Sequence, residues 1–473
     1  MAVVSLLLVV AAVGWPAEDP KFRADVAPLL ARRCVGCHSG QKPKGGYSLE
    51  TWTGLTREGK SGQPSLTLGK PDESALFARL VDSDPKRRMP PDDEPLVAAE
   101  VEMVRRWIAG GARFDGPDPA ASIRSYLPSR AHPASPDRYS APLPVFALAF
   151  SPKGDQIATG GLNEVIIWDS ATGHMLRRIP GLPSRIQAIA YSPDGARLLV
   201  GGGTPGEYGE VTIVDAAAPG RRLVLGVFED LVLAAAFAPD GKVVLAGGAD
   251  RTARAFSAID GRELWRAALH ADWVTAAAVS PDGRYAATAG KDKTVKVMDA
   301  ATGRLFTTYN GHRRQYGPHT GQFEVYALAF GADGTAFSAG AGAAVRAWEP
   351  AKAQEENGSA NDMEARFAKA GHTRYLEFTA SRPVFGLALA RGNVFTAAGD
   401  GKVRGHDPKS GKLVREYAGG EEWLYAVAAS DASGRVAAAG FDGAVRVWDI
   451  ESGNLVVRFD AFPGLSRPSG NRP

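Results

Sequence analysis

The spacing of apolar positions changes once along this chain. Up to about residue 116 it follows a helical interval; from Pro144 onward it falls into short runs of strand length. In the first region Phe22, Val26, Leu29 and Leu30 predict an amphipathic helix from Phe22 to Arg33. Pro71-Asp72-Glu73-Ser74 opens a second helix, Glu73 to Val81, with acids where a helix N-terminus favours them. A third, from about Leu96 to Ala109, carries Val97, Val101, Val104, Trp107 and Ile108 and stops at Gly110-Gly111. The stretch from Gly40 to Pro71 is rich in Gly and Pro and is expected to be irregular, as is Arg87-Arg88-Met89-Pro90-Pro91.

The second region repeats. Seven strand-like openings begin at Val145, Ile186, Val232, Val274, Val325, Val384 and Leu424, and Ser192-Pro-Asp-Gly195, Ala238-Pro-Asp-Gly241 and Ser280-Pro-Asp-Gly283 supply hairpin chemistry after three of them. Each unit closes on a marked dipeptide: Trp168-Asp169, Val214-Asp215, Phe256-Ser257, Met298-Asp299, Trp348-Glu349, His406-Asp407 and Trp448-Asp449. The successive separations are 46, 42, 42, 50, 58 and 42 residues. A period near 40 to 45 built from short strands predicts a radial all-β array in which each repeat is one four-stranded blade. Two insertions, Asn310 to Phe323 and Pro350 to Ser381, lengthen the period. Such loops on a rigid scaffold suit binding, and equally suit a solvated excursion. Trp273 and Trp423 open the first strands of blades four and seven, near a channel mouth, where they serve either binding or inter-blade packing.

Composition narrows the class. With 473 residues the chain suits two or three domains, and 44% hydrophobic against 23% charged residues is globular. A net charge of +3 with no basic block gives nucleic-acid binding no support. Ala2 to Val13 is an apolar run interrupted by Ser5; it is shorter than the roughly 20 residues of a membrane span and fits a secretory signal. No basic residue precedes the run, and an uncleaved anchor is the alternative. Export is the expectation, in the periplasm or beyond, with no stable membrane span.

Both cysteines of the chain lie in Cys34-Val35-Gly36-Cys37-His38. Two thiols three apart followed by histidine read as a c-type haem attachment site, in which the thiols add to the two vinyl groups and the histidine falls under the iron. A thioredoxin-type redox pair shares the spacing, but no βαβ pattern surrounds this one. A single such motif allows one covalent haem c.

The order of helix with C-x-x-C-H, loop, helix, methionine loop and closing helix resembles a class I cytochrome c, and more narrowly the small cytochrome c domain of exported planctomycete proteins. The residues carrying that resemblance are Asp25 to Leu30, Cys34 to His38, Met89-Pro90-Pro91 and Trp107 to Ala112. It implies thioether bonds at Cys34 and Cys37, His38 as proximal ligand, Met89 as distal ligand, and Phe22 against Trp107 where the first and last helices cross. Met103 is the other methionine nearby, but Glu102 and Arg105 flank it inside the closing helix. The repeating region resembles WD-repeat β-propellers. The turn aspartates of that family's hydrogen-bonded tetrad match Asp250, Asp292, Asp400 and Asp442, and its glycine-histidine pairs match Gly311-His312 and Gly371-His372, with His270 a partial match. Each blade owns its fourth strand, so closure by an N-terminal strand is not expected.

The expected architecture is therefore multidomain: a small all-α cytochrome c-like domain followed by an all-β seven-bladed WD-repeat propeller. Its segments are a signal peptide at 1–17, the haem domain at 18–116, a linker at 117–143, the propeller at 144–462 and a tail at 463–473. Tyr126, Leu127 and Tyr139 would be odd in solvent, so the linker is expected to lean on a neighbour. The propeller shows no nucleophile elbow, metal-spaced cluster or phosphate loop. An exported single-haem electron carrier whose propeller docks a redox protein or a peptide is the leading expectation. The alternatives are an oxidoreductase with its active site in the propeller, and a haem-based sensor.

Overall fold

The computed structural model describes residues 19–35, 37–38, 43–91, 94–116, 118–120, 123, 130–217, 220, 222–312, 323–342, 344–354, 372–376 and 382–465. The apolar run at 2–13, Tyr126, Leu127 and most of both insertions lie outside the described residues. The chain divides into two compact units, residues 1–128 and 129–473.

The first unit is helical. A wide turn, Phe22–Val26, runs into α1 (Ala27–Arg33); α2 (Trp52–Leu55), α3 (Ala75–Leu80) and α4 (Ala98–Ala109) follow. Helix α4 begins at half of a capping box, with the Glu100 carboxylate accepting from the Val97 amide at 3.2 Å while the Val97 side chain can accept nothing in return. Phe22 is fully buried, its ring 5.7 Å from Trp107, 5.1 Å from Trp52 and 5.5 Å from Phe114. Such pairs add about 0.5–1.5 kcal/mol each beyond area burial. This aromatic cluster joins the two ends of the unit. Helix α2 interrupts a stretch expected to be irregular. It starts because Thr51 Oγ1 accepts from the Gly54 amide at 2.9 Å, and it persists because Trp52 enters the cluster.

The second unit is a ring of seven four-stranded antiparallel sheets, each taking four consecutive strands in order. Trp168-Asp169, Val214-Asp215, Phe256-Ser257, Met298-Asp299 and Trp448-Asp449 end third strands, and the Trp348 and His406 strands stop one residue earlier than their dipeptides. The Pro-Asp-Gly turns place Gly195, Gly241 and Gly283 at φ +72°, +67° and +71°, which glycine adopts without penalty. First strands are bulged after their opening residue in six blades, at Gln187, Leu233, Thr275, Tyr326, Phe385 and Tyr425.

Among the described residues no strand is shared between the two ends of the ring, which closes by side-chain packing and by single backbone bonds such as that from the Val145 amide to the Gly440 carbonyl at 3.0 Å. Residues 130–143, inside the stretch expected to be linker, form a strap packed on the propeller. Its contacts are His132 with Glu210 (3.3 Å), Ser135 Oγ donating to the Asn163 carbonyl (3.1 Å), and Tyr139. The Tyr139 hydroxyl donates to the buried Glu164 carboxylate at 2.6 Å and accepts from the Leu162 amide at 3.0 Å. Its ring lies 4.8 Å from Phe462, and its amide donates to the Pro463 carbonyl at 3.2 Å. Ile123, from the other half of the expected linker, is buried in the helical unit. The described parts of the expected linker and tail are thus packed, because Ile123, Tyr139 and Leu465 carry apolar surface that each unit buries.

Candidate functional site

Helix α1 ends where the motif begins. The Cys34 and Val35 amides both donate to the Leu30 carbonyl (2.9 and 3.0 Å), and the Cys37 and His38 amides both donate to the Cys34 carbonyl (3.2 and 3.1 Å). Val35 is fully buried and pins this double turn to the core. Cys34 and Cys37, both free thiols, and the half-buried His38 face a cavity of about 330 Å³. That volume is in the range of small-molecule and cofactor sites.

The imidazole is held in one orientation. His38 Nδ1 lies 3.1 Å from the Tyr47 carbonyl oxygen, and the Leu49 amide donates to the His38 carbonyl at 2.7 Å. A carbonyl only accepts, so Nδ1 carries a proton, and the tautomer this selects has its lone pair on Nε2. A backbone carbonyl behind the imidazole is the usual support of a metal-binding histidine. Tyr47 is fixed in turn by its hydroxyl, which donates to the Leu55 carbonyl at 3.0 Å.

Met89 comes to the same cavity from the other side of the sequence. The chain leaves α3 and folds over Asp82 and Asp84, whose carboxylates accept from the amides of Asp84 and Lys86 and pair with Arg87. The Met89 amide then donates to the Arg79 carbonyl at 2.8 Å, and Met89, Pro90 and Pro91 line the cavity. Met103 packs against the same core from α4 but is absent from that lining. All four residues expected at the site, Cys34, Cys37, His38 and Met89, therefore meet around one cavity. Phe22 and Trp107 stack as expected but lie in the core, away from the lining.

Burial pushes the Cys34 thiol up to about 12, although Arg33 beside it pulls the other way. A redox cysteine works as a thiolate and needs the opposite shift.

In the propeller the expected tetrad forms in part. In blade four His270 bridges Asp292 (3.0 Å) and Thr288 (3.0 Å). In blade five His312 meets Ser338 at 2.8 Å, and the Trp348 indole donates to the same hydroxyl at 3.1 Å. Asp250, Asp400 and Asp442 instead pair with Arg254, Arg404 and Arg446 at 2.7, 2.7 and 2.6 Å. Sequence reasoning missed these arginines, although an arginine four residues after the turn aspartate recurs in three blades. It also missed Tyr47, because a backbone carbonyl leaves no mark in the residue pattern.

Burial alone would raise the Asp292 carboxyl, but the His270 ring, the Thr294 hydroxyl and the Ala271 amide hold it down to about 2, from an ordinary 3.8. A depressed folded value means stability present above about pH 4 and lost as pH falls toward about 2. The contribution at neutral pH is about 2 kcal/mol. Asp292→Asn is expected to remove that part of the acid dependence. Urea melts in a pH series check this; parallel losses in both proteins between about pH 4 and about 2 would exclude the pair as the source.

At the channel mouth Trp273 and Trp423 are 41% and 42% exposed. The Lys291 ammonium sits 4.0 Å above the Trp273 ring, and Trp423 stacks on Phe385 at 5.5 Å. Phe385 in turn touches Tyr326 and Tyr425, and Tyr425 stacks on Phe146. Among the described residues no group of three or more His, Cys, Asp or Glu could hold a metal ion. No helix there is long and apolar enough to cross a membrane.

Residues 34–93 match the family model described as Planctomycete cytochrome C, a span that runs from the C-x-x-C-H motif past Met89. Residues 137–169, 224–257, 265–299 and 411–449 match that of the WD domain, G-beta repeat. No curated protein matches the chain.

Proposed function

Because the chain joins a planctomycete cytochrome c domain to a seven-bladed WD-repeat propeller, we propose that it is an exported single-haem electron carrier whose propeller docks a protein partner. The observation that carries this reading is the His38 ring, held by the Tyr47 carbonyl so that Nε2 is the basic nitrogen, in a cavity shared with Cys34, Cys37 and Met89. Bound there through thioether bonds, a haem c supplies one-electron Fe(III)/Fe(II) chemistry. Cys34 and Cys37 would anchor it, His38 and Met89 would hold its iron, and Val35 keeps the motif fixed to the core. With both His38 and Met89 as ligands the iron would be closed to substrate, which would suit electron transfer over substrate turnover.

Docking is assigned to the propeller on the exposed aromatic arc at its channel mouth, where Trp423 and Phe146 are large, rigid anchors. Export rests on the apolar run at Ala2 to Val13 together with covalent haem, which bacteria attach outside the cytoplasm.

The test is spectroscopic. Full-length protein made with a haem-attachment system is denatured and reduced, and its visible spectrum is recorded. Colour that stays with the unfolded chain is expected, as is its loss in the Cys34→Ala/Cys37→Ala double variant. Colour retained by the denatured double variant would overturn the assignment.

A further inference from the structure

The second and third strands of neighbouring blades pair in the same register, so equivalent positions can be compared. Arg197 stands opposite Asp215 in blade two, and Val243 stands opposite Ser257 in blade three. Arg197 crosses the seam to blade three. Its Nη1 donates to the Ala258 carbonyl at 2.7 Å and its Nη2 to the Gly241 carbonyl at 3.1 Å, with the guanidinium carbon 5.8 Å from the Phe237 ring. One blade further on, Val243 is too short to cross, and Val279 ends the first strand where Phe237 ends its own. Between blades three and four lies a cavity of about 390 Å³ whose wall includes Val243, Val279, Gly283, Ala300 and Trp265. The seam is wider here. A Cβ on Gly241 would meet Pro193 at 3.1 Å, whereas one on Gly283 would meet nothing within 4 Å.

The polar groups of this wall suit a planar cation. Its charged residues are Asp240 and Asp282, and neither lysine nor arginine lines it. Each carboxylate uses Oδ1 in its own turn, accepting from the Lys242 amide at 2.9 Å and from the Arg284 amide at 3.0 Å respectively. Arg284 offsets part of the Asp282 charge. The Gly283 carbonyl is the equivalent of the Gly241 carbonyl that Arg197 reaches, and it accepts no bond among the described residues. The Ala300 carbonyl, equivalent to that of Ala258, accepts from the Trp265 indole at 2.8 Å and keeps a second lone pair. We propose that this cavity binds a guanidinium group on a short alkyl chain, as in arginine, in the place that Arg197 fills from within the chain one seam earlier. A guanidinium meets a carbonyl and a carboxylate with donors in a fixed plane and stacks on an aromatic face, which an ammonium does less well.

The experiment is a calorimetric titration of the full-length protein with ethylguanidinium, which is expected to bind with a Kd on the order of 1 mM. Ethylammonium should bind about tenfold more weakly. Val243→Arg puts an arginine in the register of Arg197, so binding should vanish while the melting temperature stays at or above that of the parent. Asp240→Asn/Asp282→Asn keeps the turn acceptors, removes both charges and should weaken binding about tenfold; it decides alone if Val243→Arg does not fold. The tripeptide acetyl-Gly-Arg-Gly-amide separates two sources of the group. Tighter binding than ethylguanidinium means that the site takes an arginine of another chain, and equal or weaker binding means a free guanidine. Absence of binding, equal binding of ethylammonium, or binding that survives the substitutions overturns the site.

Discussion

Met89→Ala is expected to lower the reduction potential by on the order of 0.1 V or more, because axial ligation sets haem potential over a wide range and a Met/His pair lies toward its high end. The soft thioether favours the ferrous state, and water or nothing in its place favours ferric iron. The same change opens a coordination position, so the reduced variant should bind carbon monoxide where the parent does not. Met103→Leu is the matched control. Met103 packs on the same core but does not line the cavity, so potential and gas binding should stay as in the parent. A titration in which Met103→Leu moves the potential and Met89→Ala does not would reverse the assignment. Binding of carbon monoxide by the unmodified protein would instead favour a sensor, with Met89 leaving the iron.

Much of this architecture is legible in the residues, for physical reasons that differ between the two units. Blade boundaries can be read because each first strand alternates between the inter-blade core and the channel. Val232 to Phe237, Val274 to Val279 and Val325 to Phe330 are strands over the spans their pattern marks. The C-x-x-C-H motif can be read because its chemistry needs two cysteines and a histidine at fixed spacing. Helix α2 is hidden because four residues carry no period; one threonine cap and one buried tryptophan decide it. The carbonyl that orients His38 is hidden for a different reason, since any residue at position 47 would present one. The strap at 130–143 is hidden because its cues are scattered. Pro133, Pro136 and Pro142 suggest a linker, while Tyr139 acts through partners at Glu164 and Phe462, distant in sequence.

That strap also determines how the ring closes. A closed circle of blades whose last sheet takes its fourth strand from its own repeat must hold blades one and seven together without a shared strand. Packing supplies part of this: Val145, Leu148 and Ile157 of the strap and first blade meet Ala437, Ala439, Val445 and Val447 of the seventh. Arg435 also reaches Ser170 at 2.9 Å across the same seam. The polar keystone is Glu164. Its carboxylate is fully buried and accepts from Tyr139 at 2.6 Å and from Arg178 Nε and Nη2 at 2.6 and 2.7 Å, while Arg178 also donates to the strap carbonyls of Pro136 and Asp137. Glu164→Ala therefore removes the shared partner of a buried hydroxyl and a half-buried guanidinium, at a cost of about 3 kcal/mol. Tyr139→Phe removes one hydrogen bond and leaves its ring on Phe462, at a cost of about 1 kcal/mol. Hydrogen exchange separates a local effect from a global one. Glu164→Ala is expected to cost protection in segments 139–165 and 440–465 before the blades on the far side of the ring respond. Uniform loss around the ring, or none at the seam, would mean that closure depends on inter-blade packing and not on the strap.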